Sequence, residues 1–251
     1  MGSDAVIKTA GRVFEVLEYM REVRRHITVR EASEKLGYPL SSALVLLKSM
    51  ATLGYLSYDA KQRAYYPTVR LAMLGDWVLD AQFAGGNLFA YLDQVAKGTG
   101  ETAILGLQND IYAQYVHVIL GGKGIQFNVQ SGTRRLLCMS GMGWALLSAQ
   151  SDADVQRTIQ RTNTRLAKNG QAVEPELVLE HVRASREAGY AFSRSTVTEG
   201  IGILAVPLPE RAGGERLAVG VGGPVERLEA QRDSVLATLR EFVARSAGVA
   251  R

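Results

Sequence analysis

From about Thr9 to Arg21 the apolar residues Val13, Val16, Leu17 and Met20 recur at helical spacing, which predicts an amphipathic helix. Thr28-Val29-Arg30-Glu31 reads as a capping box, in which the Thr28 hydroxyl accepts from the Glu31 backbone while Glu31 reaches back. It opens a short helix through Ala32 and Leu36 that Gly37 ends. After a turn at Tyr38-Pro39, a second apolar stripe runs through Leu40, Ala43, Leu44, Leu47, Met50 and Ala51, and Gly54 closes it. Tyr55–Tyr58 and Ala64–Tyr66 alternate on either side of the polar stretch Asp59–Arg63, the pattern of a β-hairpin. Helices around a glycine turn, followed by a basic-tipped hairpin, predict a winged helix-turn-helix over residues 1–68.

From Val69 to about Phe83 the pattern returns to helix, with Leu71, Leu74 and Val78 on one face, and Gly85-Gly86 interrupts it. Residues 69–86 therefore read as a linker helix. The remainder, 87–251, mixes periods. A helix is expected over Leu88–Val95, then strands over Thr102–Gln108 and Ile111–Leu120 joined at Asn109-Asp110. Helices follow near Gly141–Ala149, Asp152–Arg161 and Pro175–Ala188, strands at Ile201–Leu208 and Leu217–Val221, and a last helix over Leu228–Ser246. Consecutive strands with helices between them make this an α+β domain.

Charge separates the two parts. The 29 Lys+Arg and 25 Asp+Glu give a net of +4. Residues 1–70 hold 11 basic and 7 acidic side chains and the rest hold 18 of each, so the whole surplus belongs to the first module. That pattern suits a polyanion-binding head on a neutral body. With 47% hydrophobic and 22% charged residues the chain reads as globular. A single cysteine, Cys138, excludes an intramolecular disulfide and the common cysteine-rich zinc sites, and fits a cytoplasmic protein. No apolar run reaches the roughly 18 residues of a membrane helix, and Glu15 and Glu18 interrupt any signal-peptide pattern at the start. Neither membrane nor cofactor is expected.

Candidate chemistry follows the same division. The predicted helix after Pro39 presents Ser41, Ser42, Val45, Lys48, Ser49 and Thr52 opposite its apolar stripe. Its N-terminus suits a phosphate, Val45 a thymine methyl, and Lys48 a phosphate or guanine. Lys61 and Arg63 tip the hairpin, and Arg24, Arg25 and Arg30 cluster at the preceding helix. Together they predict contacts to double-stranded DNA, although each alone also fits a solvated surface. Chemistry of other kinds finds little support. His26, His117 and His181 are isolated, and Cys138 reads as a small core residue unless His117 approaches it. Gly121–Gly124 lacks the ending of a phosphate-binding P-loop, and Gly141-Met142-Gly143 lacks the third glycine of a dinucleotide fingerprint.

The layout resembles the IclR-type transcriptional regulators. In the first module the likeness runs from Ile7 through Pro67, including Arg12, Leu17, the Thr28–Gly37 helix, Pro39-Leu40-Ser41-Ser42 and Leu53-Gly54-Tyr55-Leu56. Independently, Ser131–Leu147 looks like the family's loop and small-residue helix. Gly189-Tyr190-Ala191, Gly200–Pro207 and Leu217–Pro224 look like its later strands. The resemblance implies a GAF-like second domain that binds a small effector, a homodimer with tetramers common, and regulation of transcription, not catalysis. It implies a pocket lined by Gln126, Ser140, Gly141, Met142, Ile203 and Gly220, with Arg134 as the nearest cation. Met142 and Leu146 are read equally well as ordinary core.

The sequence departs from the family after Tyr190, where Phe192–Glu199 is less acidic than usual, at Gly220 and Gly222, where hydroxyl side chains are common, and at Ile203, where a polar or sulfur residue can occur. Fewer polar anchors and more room suggest a bulkier effector such as an aromatic acid. Two other readings stand beside this one: an enzyme whose α+β domain turns over a small molecule, and a DNA-binding protein without a ligand. The first is disfavoured by the lack of a convergent nucleophile, base and metal set. The second would show no ligand-induced rise in melting temperature.

Overall fold

The computed structural model describes residues 7–75, 88–122, 127–209 and 214–247. Contacts divide the chain into two compact units, Met1–Val78 and Leu79–Arg251.

The first unit contains helices α1 (Lys8–Val23), α2 (Val29–Leu36) and α3 (Leu40–Thr52), strands β1 (Ile27–Thr28), β2 (Leu56–Asp59) and β3 (Ala64–Pro67), and the short helix α4 (Val69–Met73). The capping box forms: Thr28 Oγ1 accepts from the Glu31 N–H at 3.2 Å. Gly37 closes α2 at φ 68°, a left-handed conformation in which a side chain would be strained. The hairpin gains a third strand, because β1 pairs with β3 and gives the order β1-β3-β2. Val16, Met20, Ile27, Ala32, Leu47, Met50 and Leu56 form the core.

One expectation is corrected here. Ala43, Leu46, Leu47 and Met50 are the buried row of α3, whereas Leu40 and Leu44 are 54% and 37% exposed. Both rows have helical spacing, and burial of Leu46 turns α3 so that Leu40 and Leu44 face outward beside the hairpin. Of the expected linker helix, Val69–Met73 is helical and residues 76–86 lie outside the described residues.

The second unit begins with α5 (Leu88–Thr99) and a hairpin of β4 (Thr102–Asn109) and β5 (Tyr112–Ile119). The edge strand β6 (Arg134–Leu136), a 3-10 turn at Leu137–Met139, and helices α6 (Gly141–Ser148), α7 (Asp152–Leu166) and α8 (Pro175–Ala188) follow. The chain then returns through β7 (Ala191–Arg194), β8 (Ile201–Pro207) and β9 (Leu217–Pro224) to α9 (Val225–Ala230) and α10 (Arg232–Ala247). The expected final helix is thus two helices broken at Gln231. The six strands form one antiparallel sheet in the order β6-β5-β4-β9-β8-β7.

Period-two alternation divides the core between the two faces of this sheet. Leu105, Leu204, Val206, Leu217, Val219 and Val221 pack with α5 and α10. Ile104, Tyr115, Ile203, Ala205 and Ala218 pack with α6, α7 and α8. Every residue of α6 from Gly141 to Leu147 is buried, as expected of a helix apolar all round. It lies close to the sheet because glycines receive it: a β-carbon at Gly220 would stand 2.9 Å from Met142 Cε, and one at Gly106 would stand 2.9 Å from Met142 Cγ. No helix among the described residues is long and apolar enough to cross a membrane.

Candidate functional site

In the first unit, α2, α3 and the hairpin enclose an open concavity of ≈ 1280 Å³. Arg30, Ser41, Lys48 and Arg63 line it together with Leu40, Leu44, Thr52 and Tyr58, and no carboxylate does. α3 enters from Pro39, which offers no side-chain cap, so the first N–H groups of the helix keep no capping partner. A positive helix end together with three cations suits phosphates. Val45 is 64% exposed on α3. The Ser49 hydroxyl donates back to the Val45 carbonyl at 2.8 Å and keeps only its acceptor capacity. Ser42 is half-buried.

The hairpin tip has its own device. Asp59 accepts from the backbone N–H groups of Lys61 and Gln62 at 2.8 and 3.2 Å, and these donors hold its carboxyl below the usual range. Arg63 follows at φ 50°, a conformation uncommon for a residue with a side chain. Lys61 is exposed at the same tip. Arg25 is committed elsewhere. Its guanidinium spans both Glu31 carboxylate oxygens at 2.6 and 3.1 Å, with the Tyr19 hydroxyl on the same carboxylate, so its charge serves the α1–α2 packing.

In the second unit a cavity of ≈ 20 Å³, the size of one water, sits between β5, the start of α6, β7 and β8. Ser140, Gly141 and Ile203 line it as the resemblance implies. Met142 and Gly220 do not. They pack against each other in the core, with Met142 wholly buried. Gln126 lies outside the described residues. Arg134 points away from the cavity and lays its guanidinium 4.0 Å from the centre of the Tyr112 ring, while its neighbour Arg135 lines the cavity. Strand pairing is the reason. Arg135 stands opposite Ala113 on the face that carries Tyr115, and Arg134 opposite Gln114 on the other.

The donors around this cavity are the chemical finding. Tyr115 is 1% exposed and Ser193 5%, and both line this cavity, whereas the fully buried side-chain polar atom left without a hydrogen bond among the described residues is the Tyr38 hydroxyl of the first unit. Each hydroxyl can both donate to and accept from whatever occupies the cavity. Burial pushes the Tyr115 phenol up to about 12 against the opposing effect of Arg135, so it stays a neutral donor. Among the described residues no ion pair involves Arg135, whose guanidinium donates to the Arg134 carbonyl at 3.5 Å, and no acidic residue lines the cavity. The N-terminus of α6 adds its positive end at Gly141, beneath the Ser140 cap that accepts from Gly143 N–H at 3.2 Å. From sequence, Arg135 is a candidate partner for an acidic ligand together with Lys123 and Arg134, with a solvated face as the alternative, whereas Tyr115, Phe127, Ser193 and Thr198 were missed. The unusual polarity of Phe192–Glu199 is the one signal that pointed toward two of them.

The expected room beside β9 is also corrected. A β-carbon at Gly222 would fall 2.6 Å from Phe127 Cδ1, so the space left by Gly220 and Gly222 is filled by Met142 and Phe127. Catalytic groups do not converge. Cys138 belongs to the core on the α6 face, its thiol pushed up by burial and 3.5 Å from the Thr162 hydroxyl. His117 packs against Phe89 of α5, the helix that covers the opposite face. His26 stacks on Tyr66 and His181 on Trp144. No cluster of potential metal ligands occurs among the described residues.

Family models locate both units. Residues 9–60 match the IclR helix-turn-helix domain and residues 88–246 the bacterial transcriptional regulator IclR C-terminal domain. The HTH-type transcriptional regulator KdgR of Escherichia coli is 24% identical over 233 residues, 93% of this chain and 86% of KdgR. The effector domain of a transcriptional regulator from Acinetobacter sp. ADP1 is 31% identical with a TM-score of 0.60, covering 66% of this chain and 97% of that one. An IclR homologue from Microbacterium hydrocarbonoxydans, solved with 4-hydroxybenzoate, superposes at TM-score 0.66 and 18% identity over 96% of this chain and 98% of its own.

Proposed function

The chain belongs to the IclR family of bacterial transcriptional regulators, and from that premise we propose that a small organic acid in the second unit controls how the winged helix binds operator DNA. The acid is aromatic or another carboxylic acid. The observation that carries this reading is the positive cavity: the Arg135 cation and the α6 N-terminus face it beside the hydroxyls of Tyr115 and Ser193, with no acidic residue in the lining, and suit a carboxylate better than a cationic head group. The neighbour solved with 4-hydroxybenzoate supports the same class. Calorimetry on the full chain tests it. Benzoate is expected to bind more tightly than pyruvate or glyoxylate, and Arg135→Gln to weaken benzoate about tenfold, the scale of one charge-assisted hydrogen bond. Tighter binding of pyruvate or glyoxylate than of benzoate contradicts the aromatic preference.

On the DNA side, Arg30, Ser41, Lys48 and Arg63 contact the backbone and the groove edge, and Val45 meets a base. Lys61 reaches the backbone from the hairpin tip, and Ser42 and Ser49 support the α3 face. Lys48→Ala is expected to weaken binding across sequences and to reduce the salt slope by about one, whereas Val45→Ala alters base preference. Fluorescence anisotropy over a salt series reads both effects, and an unchanged slope for Lys48→Ala removes that contact. The assembly we propose is a homodimer, or a tetramer of two such dimers, with its recognition helices in successive major grooves.

A further inference from the structure

We infer that the Phe127 side chain occupies the place of the effector's ring, so that binding requires a monocyclic aromatic acid to displace it. The inference rests on the acid reading of the same cavity and deepens it.

Phe127 lines the cavity on one side and lies on Gly222 on the other. Gly222 sits in β9 without a positive φ, so its backbone does not require glycine. What requires it is the ring: a β-carbon there would stand 2.6 and 3.2 Å from Phe127 Cδ1 and Cε1. A glycine weakens a strand, and this one leaves the Phe127 ring its place against β9. The Phe127 carbonyl accepts from the Thr102 hydroxyl at 2.9 Å, which anchors the backbone, while the ring packs at the edge of the core on the α6 face. Phe127 is only half-buried.

The remaining cavity, ≈ 20 Å³, is the size of one water and leaves no room for an aromatic ring. Its walls are the donors of Tyr115, Ser193, Arg135 and the Gly141 N-terminus. The carboxylate therefore goes to the donors, and the ring goes where a benzyl group already fits. With Phe127 in place only a fraction of molecules is competent to bind, and apparent affinity falls by that fraction.

The test is the ratio of benzoate to acetate affinity, measured by calorimetry on the full chain and on Phe127→Trp, Phe127→Leu and Phe127→Ala. Acetate needs the donors alone, so a merely structural change moves both acids together. The ratio is expected to rise in the order Trp, Phe, Leu, Ala, by about tenfold or more between wild type and Phe127→Ala. Should Phe127→Ala not fold, the order of Trp, Phe and Leu decides in the same way. A ratio constant within about twofold overturns the inference. So does a ratio that falls from Phe to Ala, because the ring would then be a contact for the bound acid. If wild type binds neither acid, the acid reading itself is contradicted and this inference falls with it.

Discussion

Gly143→Ala is expected to destabilise the second unit by about 3 kcal/mol, at the upper end of overpacking costs. Gly143 lies in the first turn of α6, and a β-carbon there would run into the backbone carbonyl of Leu137. The obstacle is main chain, so no side chain can rotate aside. Leu137 is wholly buried and held by its own N–H to the Ile111 carbonyl at 2.9 Å. Relief requires moving α6 off the sheet, which opens the contacts of Met142 with Gly106 and Gly220 and displaces the cavity wall at Ser140 and Gly141. Urea unfolding followed by near-ultraviolet circular dichroism measures the cost. A loss below about 0.5 kcal/mol, the range of ordinary surface substitutions, would show that the close approach is not tight.

The second large effect is expected at Arg227→Met, about 3–5 kcal/mol. Glu101, just before β4, has a side chain 3% exposed, and Arg227 of α9 meets its two oxygens at 2.7 and 2.8 Å. Gly223 leaves room for that carboxylate beside β9. Removing only the cation leaves a charge in a desolvated site, and the cost is mostly that of the orphaned carboxylate. The double variant Glu101→Leu with Arg227→Met is therefore expected to lose less stability than Arg227→Met alone, although it removes more polar contacts. A double variant at least as unstable as the single one contradicts this account.

The winged helix was legible because its signals are local. Thr28 and Glu31 cap, Gly37 stops, and the Asp59–Arg63 break turns the hairpin. The Pro175–Ala188 helix is readable to the residue for the same reason, with Pro at its start and Gly189 at its end. What escaped depends on partners distant in sequence. β1 is two residues long and is a strand only because β3 lies beside it. The inward row of α3 could not be chosen between Leu44 and Leu46, since both fit helical spacing. Arg134 and Arg135 are adjacent and chemically equal, and only the pairing of β6 with β5 decides which one faces the cavity. Gly220 and Gly222 read as open room because a sequence shows a missing side chain but not the neighbour that fills the gap. The glycines here mark close packing by Met142 and Phe127.

Coupling between the two units is tested most directly by the DNA affinity of the full chain with and without acid. Duplexes enriched from a random pool serve as ligand, and anisotropy is read at fixed salt while benzoate is titrated to saturation as judged by calorimetry. The expected result is a change in DNA affinity of about fivefold or more, the lower end of ordinary allosteric coupling, with its midpoint at the calorimetric Kd. Equal DNA affinity at every benzoate concentration, while calorimetry shows the acid bound, would contradict it.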